Sequence, residues 1–192
     1  MSIVIGLTGP TGSGKSSAAK LCESYGIKLV DCDKVARKAT EKGSECLKIL
    51  SEVFGTEILN TDGSLNRKAL ANKAFSTKEN TELLNKTIFP FIKKLVLNEI
   101  DTEKVLLDAP TLFESGINSI CFKTVAVLAD SDIRLKRIIK RDNLTETEAK
   151  KRMSAGKSDN FYKENADYII YNNSDEQTFL KNFENVLTEI FG

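Results

Sequence analysis

The stretch Gly9 to Ser17 reads GPTGSGKSS and carries the spacing G-x-x-x-x-G-K-[ST]. Gly9, Gly12 and Gly14 can adopt positive φ, so this backbone can turn tightly and approach a ligand closely. Successive N–H groups then point inward as an anion nest, and a helix starting at the end of the loop adds its positive pole. Lys15 offers a point charge for outer phosphates, and the Ser16 hydroxyl suits a magnesium ion. Thr11, Gly12, Ser13, Gly14, Lys15, Ser16 and Ser17 are the expected phosphate-holding run. A glycine turn that merely joins strand to helix is the plainer alternative. The complete spacing, with an apolar run before it and helical spacing after it, argues against that alternative.

Two further groups carry chemistry. Asp31 and Asp33 close one apolar run, and Asp108 closes another after VLL. Phosphoryl transfer needs a carboxylate that orients the acceptor and acids near magnesium. Asp33 is the expected acceptor base, although it could also cap the helix KVARKA. Asp108 is the expected metal-side acid, acting through water. Asp31 reads as structural or outer-shell, and Asp130 as a helix cap. The second group is basic. SDIRLKRIIKRD sets Leu135, Ile138 and Ile139 on one face and Arg134, Arg137 and Arg141 on another. Arg134 and Lys136 read as solvated. Arg141 lies at the helix end and is the expected phosphate contact of a closing segment; Arg137 and Arg152 are secondary candidates.

These residues need a scaffold. SIVIGLT, IKLVDCD, KVLLDAP, TVAVLAD and DYIIYNN read as strands, and the intervening segments as helices. Alternating strands and helices imply an α/β fold with a parallel sheet covered on both sides. The ligand side of such a sheet is the carboxyl end of its strands, where the glycine loop and the aspartates fall. From about residue 36 to 100 the pattern is almost wholly helical. It suits an inserted lobe over the acceptor, or else a bulky crossover. A helix in STKENTELLNKTIFPFIKKLVLNEI should break or kink at Pro90.

The whole chain narrows the chemistry. Its 192 residues fit one domain, and the net charge of +1 gives no support to a nucleic-acid or membrane surface. With no histidine, His-based triads and most zinc sites are excluded. Phosphoryl transfer survives that loss because it rests on positioning and charge. Four cysteines without C-x-x-C spacing read as reduced thiols, no apolar run is long enough to span a bilayer, and the start lacks a basic signal region. A cytoplasmic location is expected. Oligomeric state is not legible.

Six stretches together resemble the dephospho-coenzyme A kinase family over nearly the whole chain. They are IGLTGPTGSGKSSAA, YGIKLVDCDKVAR, DGSLNRKALANKAF, LLDAPTLFESG, RLKRIIKRDNLT and ADYIIYNN. The glycine loop alone is common; D-x-D, P-x-L-F-E and A-D-Y-x-I-x-N together are far more specific. The resemblance implies a P-loop NTPase-type parallel sheet flanked by helices, with an inserted helical acceptor-binding lobe and a lid. The expected bounds are a core of about 1–35 and 104–192, a lobe of about 36–100 and a lid of about 141–165, in one domain. It also implies transfer of the ATP γ-phosphoryl, with Mg2+, to the 3′-hydroxyl of dephospho-coenzyme A. Implied roles are Asp33 as proton acceptor, Thr8, Asp33 and the lobe as acceptor contacts, Arg141 as lid residue, and Asn173 near the adenine. Ser16 and Asp108 remain the expected metal side.

The chain departs from the usual family pattern at several positions. Phe89-Pro90 stands where a His-Pro pair is common, so Phe89 brings apolar surface to the acceptor. Gly156 replaces a usual glutamine, Tyr162 a usual lysine, and Pro10-Thr11 a usual Gly-Ile. Weaker acceptor binding or an altered acceptor is the expectation. The rival reading is another small-molecule P-loop kinase, acting on a nucleoside, nucleotide or sugar acid. A guanine-nucleotide switch is disfavoured, since no aspartate has glycine three positions later. A dinucleotide oxidoreductase is disfavoured because GSGKSS lacks the third glycine of G-x-G-x-x-G.

Overall fold

A computed structural model describes residues 2–192. Its elements alternate as the apolar runs suggest. They are β1 (Ile3–Thr8), α1 (Lys15–Ser24), β2 (Lys28–Asp31), α2 (Cys32–Ala39), α3 (Glu45–Phe54), α4 (Arg67–Ala74), α5 (Lys78–Asn98) and β3 (Lys104–Asp108). Then follow β4 (Lys123–Leu128), α6 (Ser131–Asp142), α7 (Glu146–Ser154), α8 (Asp159–Asn165), β5 (Tyr168–Tyr171) and α9 (Glu176–Phe191). The strands form one five-stranded parallel sheet flanked by helices, in the order β2-β3-β1-β4-β5.

The chain divides into two compact units, Met1–Val30 with Thr102–Gly192, and Asp31–Asp101. In the first, β1 and β4 are buried along nearly their whole length, as strands covered on both faces must be. Side chains alternate between those faces. Ile5, Leu7, Val125, Val127 and Ile170 pack with Ala18 and Cys22 of α1 and with Phe179, Phe183 and Leu187 of α9. Ala126 and Leu128 point the other way and meet Tyr162 of α8, with Phe113 and Phe161 around it.

The second unit is helical. Cys46, Leu50 and Phe54 of α3 pack with Ile58 and with Leu70 and Ala74 of α4, and Leu84, Ile88 and Phe91 of α5 close the cluster. Serine, asparagine and threonine begin these helices. Ser44 Oγ accepts from Leu47 N, Asn66 Oδ1 from Ala69 N and Thr77 Oγ1 from Asn80 N.

The break allowed for at Pro90 does not occur, and one helix is added. Helix α5 runs unbroken through Pro90. Ile88, Phe91, Ile92 and Val96 carry its apolar face across that position, and their packing holds the helix together although proline removes one ladder bond. Tyr162 and Phe161 belong to a helix, α8, that the sequence spacing does not announce.

Candidate active site

Strand β1 ends at Thr8, which is fully buried, and its Oγ1 donates to the Pro110 carbonyl at 3.4 Å. The loop begins there. Gly14 has φ 103° and holds the N-cap position of α1 without any side-chain cap, so the first amides of α1 face outward from the helix unclaimed by a cap. An alanine Cβ at Gly14 would lie 2.1 Å from Asn172 Nδ2. Glycine is needed there on two counts, conformation and space. Lys15 Nζ donates to the Gly9 carbonyl at 2.9 Å. Ser16 is exposed in the first turn of α1, and Ser17 Oγ donates to Glu176 Oε1 of α9 at 2.9 Å. Ser13 is fully buried, and its Oγ meets no hydrogen-bond partner among the described residues.

Asp108 closes β3 and stands in register with Leu7 of β1, one residue before Thr8, while Ala109 N donates to the Leu7 carbonyl at 3.0 Å. The unit thus brings Asp108, Thr8 and the glycine loop to one end of the sheet. This is the site that a parallel α/β sheet offers to ligands.

The outer wall of the loop is polar. Arg134, only 7% exposed, donates from Nε to the Thr11 carbonyl at 3.1 Å and pairs through Nη1 with Asp159 of α8 at 3.1 Å. Arg137 Nη1 donates to the Ser13 carbonyl at 3.3 Å, and its Nη2 donates to both the carbonyl and Oδ1 of Asn172, each at 3.1 Å. Asn172, buried, donates from Nδ2 to the Ser13 carbonyl at 2.8 Å. Arg134 is therefore not the solvated residue expected of it. It shares a face with buried Ile138 at i+4, and that is the signal its position carried. Asn172 was not singled out either, although the spacing A-D-Y-x-I-x-N ends on it. Its neighbour Asn173 forms a reciprocal pair with Asp130: Asn173 Nδ2 donates to Asp130 Oδ1 at 2.8 Å, and Asp130 N to Asn173 Oδ1 at 2.8 Å. Asp130 does occupy the N-cap position of α6, but its side chain makes no capping bond there.

At the far end of α6, Asp142 holds two arginines. Arg141 meets it through Nε and Nη2, both at 2.8 Å, and Arg152 through Nη1 at 2.7 Å. The hydrogen bond from Arg141 keeps the Asp142 carboxyl below the usual carboxylate range and raises the guanidinium of Arg141 in turn. Asn143, with φ 52°, links α6 to α7 and is the one non-glycine residue in the left-handed region among those described. Gly156 is exposed, and Tyr162 is a core residue whose hydroxyl burial pushes up to about 12.

In the helical unit, Asp31 caps α2 by accepting from Lys34 N at 3.0 Å. Asp33 lies in the first turn of α2 and is exposed, so the capping role considered for it belongs to Asp31. Phe89 is half-buried on α5. Three of the cysteines are poor nucleophiles: burial pushes Cys22 and Cys121 up to about 12 and Cys46 to about 11.

A strand-ending glycine loop beside a carboxylate, on a five-stranded parallel sheet, defines a P-loop kinase. The dephospho-CoA kinase family model matches residues 3–178. A dephospho-CoA kinase from Listeria monocytogenes is 38% identical over 196 residues, covering 95% of this chain and 98% of that protein. The crystal structure of TT1252 from Thermus thermophilus superposes with a TM-score of 0.83 at 31% identity, covering 100% of this chain and 99% of that one. The dephospho-CoA kinase from Campylobacter jejuni gives a TM-score of 0.71 at 25% identity, covering 99% and 98%. The chain belongs to the dephospho-CoA kinase family, transferases that phosphorylate dephospho-CoA at the last step of coenzyme A synthesis. As a member of a kinase family it uses ATP.

Proposed function

We propose that Gly9 to Ser17 cradles the ATP triphosphate while Asp33 accepts the proton of the 3′-hydroxyl of dephospho-coenzyme A. The observation that carries this reading is the left-handed Gly14, which opens α1 without a side-chain cap next to Lys15. Uncapped helix amides and a nearby cation suit a polyphosphate. What supports Asp33 is its place: an exposed carboxylate in the first turn of α2, at the start of the helical unit. Thr8 and Phe89 complete the acceptor contacts, and Asn173 the adenine side. Arg141, with Arg152 beside it on Asp142, brings positive charge to the transferring group as the 141–165 segment closes.

Ser16 and Asp108 are hard oxygen donors, and this donor set fits magnesium better than any softer metal. Ser16 and Asp108 would hold the ion, which would supply positive charge to the triphosphate tail. The chain's own residues do the rest: the loop amides and Lys15 hold the tail in line, and Asp33 removes a proton from the attacking oxygen. We place the enzyme in the cytoplasm, a setting that its four free cysteines support. No helix among the described residues is long and apolar enough to cross a membrane.

Asp33→Asn tests the assignment in a coupled assay with ATP and dephospho-coenzyme A. Turnover should fall by roughly two to four orders of magnitude, the usual worth of a general base, while ATP affinity stays within about twofold. Near-normal turnover would remove Asp33 from the mechanism. If dephospho-coenzyme A is a poor acceptor and a nucleoside or sugar acid a good one, the acceptor changes and the loop chemistry stands.

A further inference from the structure

We propose that Arg134, Arg137 and Asn172 are positioning residues that set the phosphate loop by holding its carbonyls, rather than by touching phosphate. The inference rests on the reading that this loop carries the ATP tail. In a trans peptide the C=O and the N–H that follows it point in opposite directions. A donor that pins the Thr11 carbonyl therefore fixes the direction of the Gly12 amide. A donor on the Ser13 carbonyl does the same for the Gly14 amide. The structure places Arg134 Nε on the first, at 3.1 Å, and Asn172 Nδ2 on the second, at 2.8 Å, with Arg137 Nη1 at 3.3 Å reinforcing it. Glycines at 12 and 14 have φ of 81° and 103°, so without such anchors both peptides could turn over at little cost.

The anchors are themselves fixed. Arg134 is locked by Asp159, and Arg137 grips both oxygens of Asn172 with one nitrogen. Asn172 is buried and extends β5, its N donating to the Leu128 carbonyl at 2.8 Å. The loop thus takes its shape from α6, α8 and the end of β5. Arg134 and Arg137 spend donors on carbonyls of the loop itself, whereas Arg141 at the end of α6 spends Nε and Nη2 on Asp142. Arg134 and Arg137 act through the loop amides, which are the groups that contact the phosphates.

Calorimetric titration of ATP, ADP and AMP into the full chain tests the assignment, with dephospho-coenzyme A left out. Asn172 carries no charge, so Asn172→Ala removes an anchor without removing a phosphate cation. It should weaken ATP and ADP about tenfold, the worth of one buried hydrogen bond, and leave AMP within about twofold. Arg137→Lys keeps the charge and loses the fork; it should show the same pattern at about threefold. Equal weakening of all three nucleotides would overturn the proposal, and so would ATP binding unchanged in both variants. If Asn172→Ala fails to fold by circular dichroism, Arg137→Lys decides alone. Full ATP binding in Arg137→Lys with loss in Arg137→Met would make Arg137 a direct charge contact and also overturn the proposal. A wild-type chain that binds ATP but leaves dephospho-coenzyme A unmodified defeats the acceptor reading and leaves this one intact.

Discussion

Around the phosphate loop, the bonds that fix the backbone arrive from far along the chain. Arg134 reaches Thr11 across 123 positions and Asn172 reaches Ser13 across 159. In the helical unit many polar ties are local: Ser44 to Leu47, Asn66 to Ala69 and Thr77 to Asn80 are all three apart, and the longer ones, Lys73 to Glu57 at 16, Lys73 to Phe54 at 19, Arg67 to Thr40 at 27 and Lys38 to Glu99 at 61, span less than those at the loop. Local caps and one apolar cluster shape that unit, so its geometry follows from short stretches of sequence. Loop geometry exists only once β5 and α6 are in place. Damage in the helical unit should therefore appear as lost stability there, and damage at the loop as lost function.

Leu50→Ala should have the largest effect on the helical side. Leu50 is fully buried at the centre of the α3–α4–α5 cluster, and truncation leaves a cavity that costs about 2–5 kcal/mol. Hydrogen exchange should accelerate first within residues 31–101, while calorimetric ATP affinity stays within about twofold. A parallel collapse of ATP binding would show that the loop depends on the lobe after all, and the contrast would fail.

Gly14→Ala is the counterpart at the loop. The new Cβ would be 2.1 Å from Asn172 Nδ2, at a φ of 103° that alanine adopts only with strain of about 1–3 kcal/mol. ATP affinity should drop roughly ten- to hundredfold, with exchange in 31–101 unchanged. Retained affinity would mean that Asn172 can move aside, which would also weaken its standing as an anchor.

The same contrast explains what was legible in the sequence. GPTGSGKSS, the five strands and the caps of α3 to α5 are short-range patterns, and each could be read where it stands. Helix α8 could not, because its apolar residues Phe161 and Tyr162 are adjacent in a polar stretch and set no helical period. Pro90 suggested a break because proline's local effect is visible in sequence and the packing of Ile88 and Phe91 is not. Asp33 and Asp31 are two positions apart, and only the bond to Lys34 N tells which one caps α2. Arg134 looked solvated because its partners, Thr11 and Asp159, lie on other elements. The residues of the glycine loop fall in a motif; the residues that hydrogen-bond to its carbonyls are scattered, and periodicity has no way to connect them.

Acid titration probes the smallest difference. Asp167 accepts from Thr124 N at 2.8 Å, from Thr124 Oγ1 at 2.7 Å and from Lys123 Nζ at 3.3 Å, which ties the start of β5 to β4. Partial burial works to raise its carboxyl, but the Thr124 bonds and Lys123 together outweigh it and hold the group below its ordinary 3.8. A carboxylate depressed in the folded state stabilises above its unfolded value, and that contribution fades as pH falls through the folded one. Asp167 is partly exposed, so solvent screening limits the effect to under about 1 kcal/mol. Asp167→Asn should lower the urea midpoint at neutral pH and flatten the acid limb below about pH 5. Because β5 carries Asn172 to the loop, ATP affinity in the wild type should soften over the same acid range, and in Asp167→Asn that acid dependence should shrink. An unchanged acid dependence of ATP binding in the variant would uncouple the β4–β5 tie from the phosphate loop and confine the anchor to Asn172 and its immediate partners.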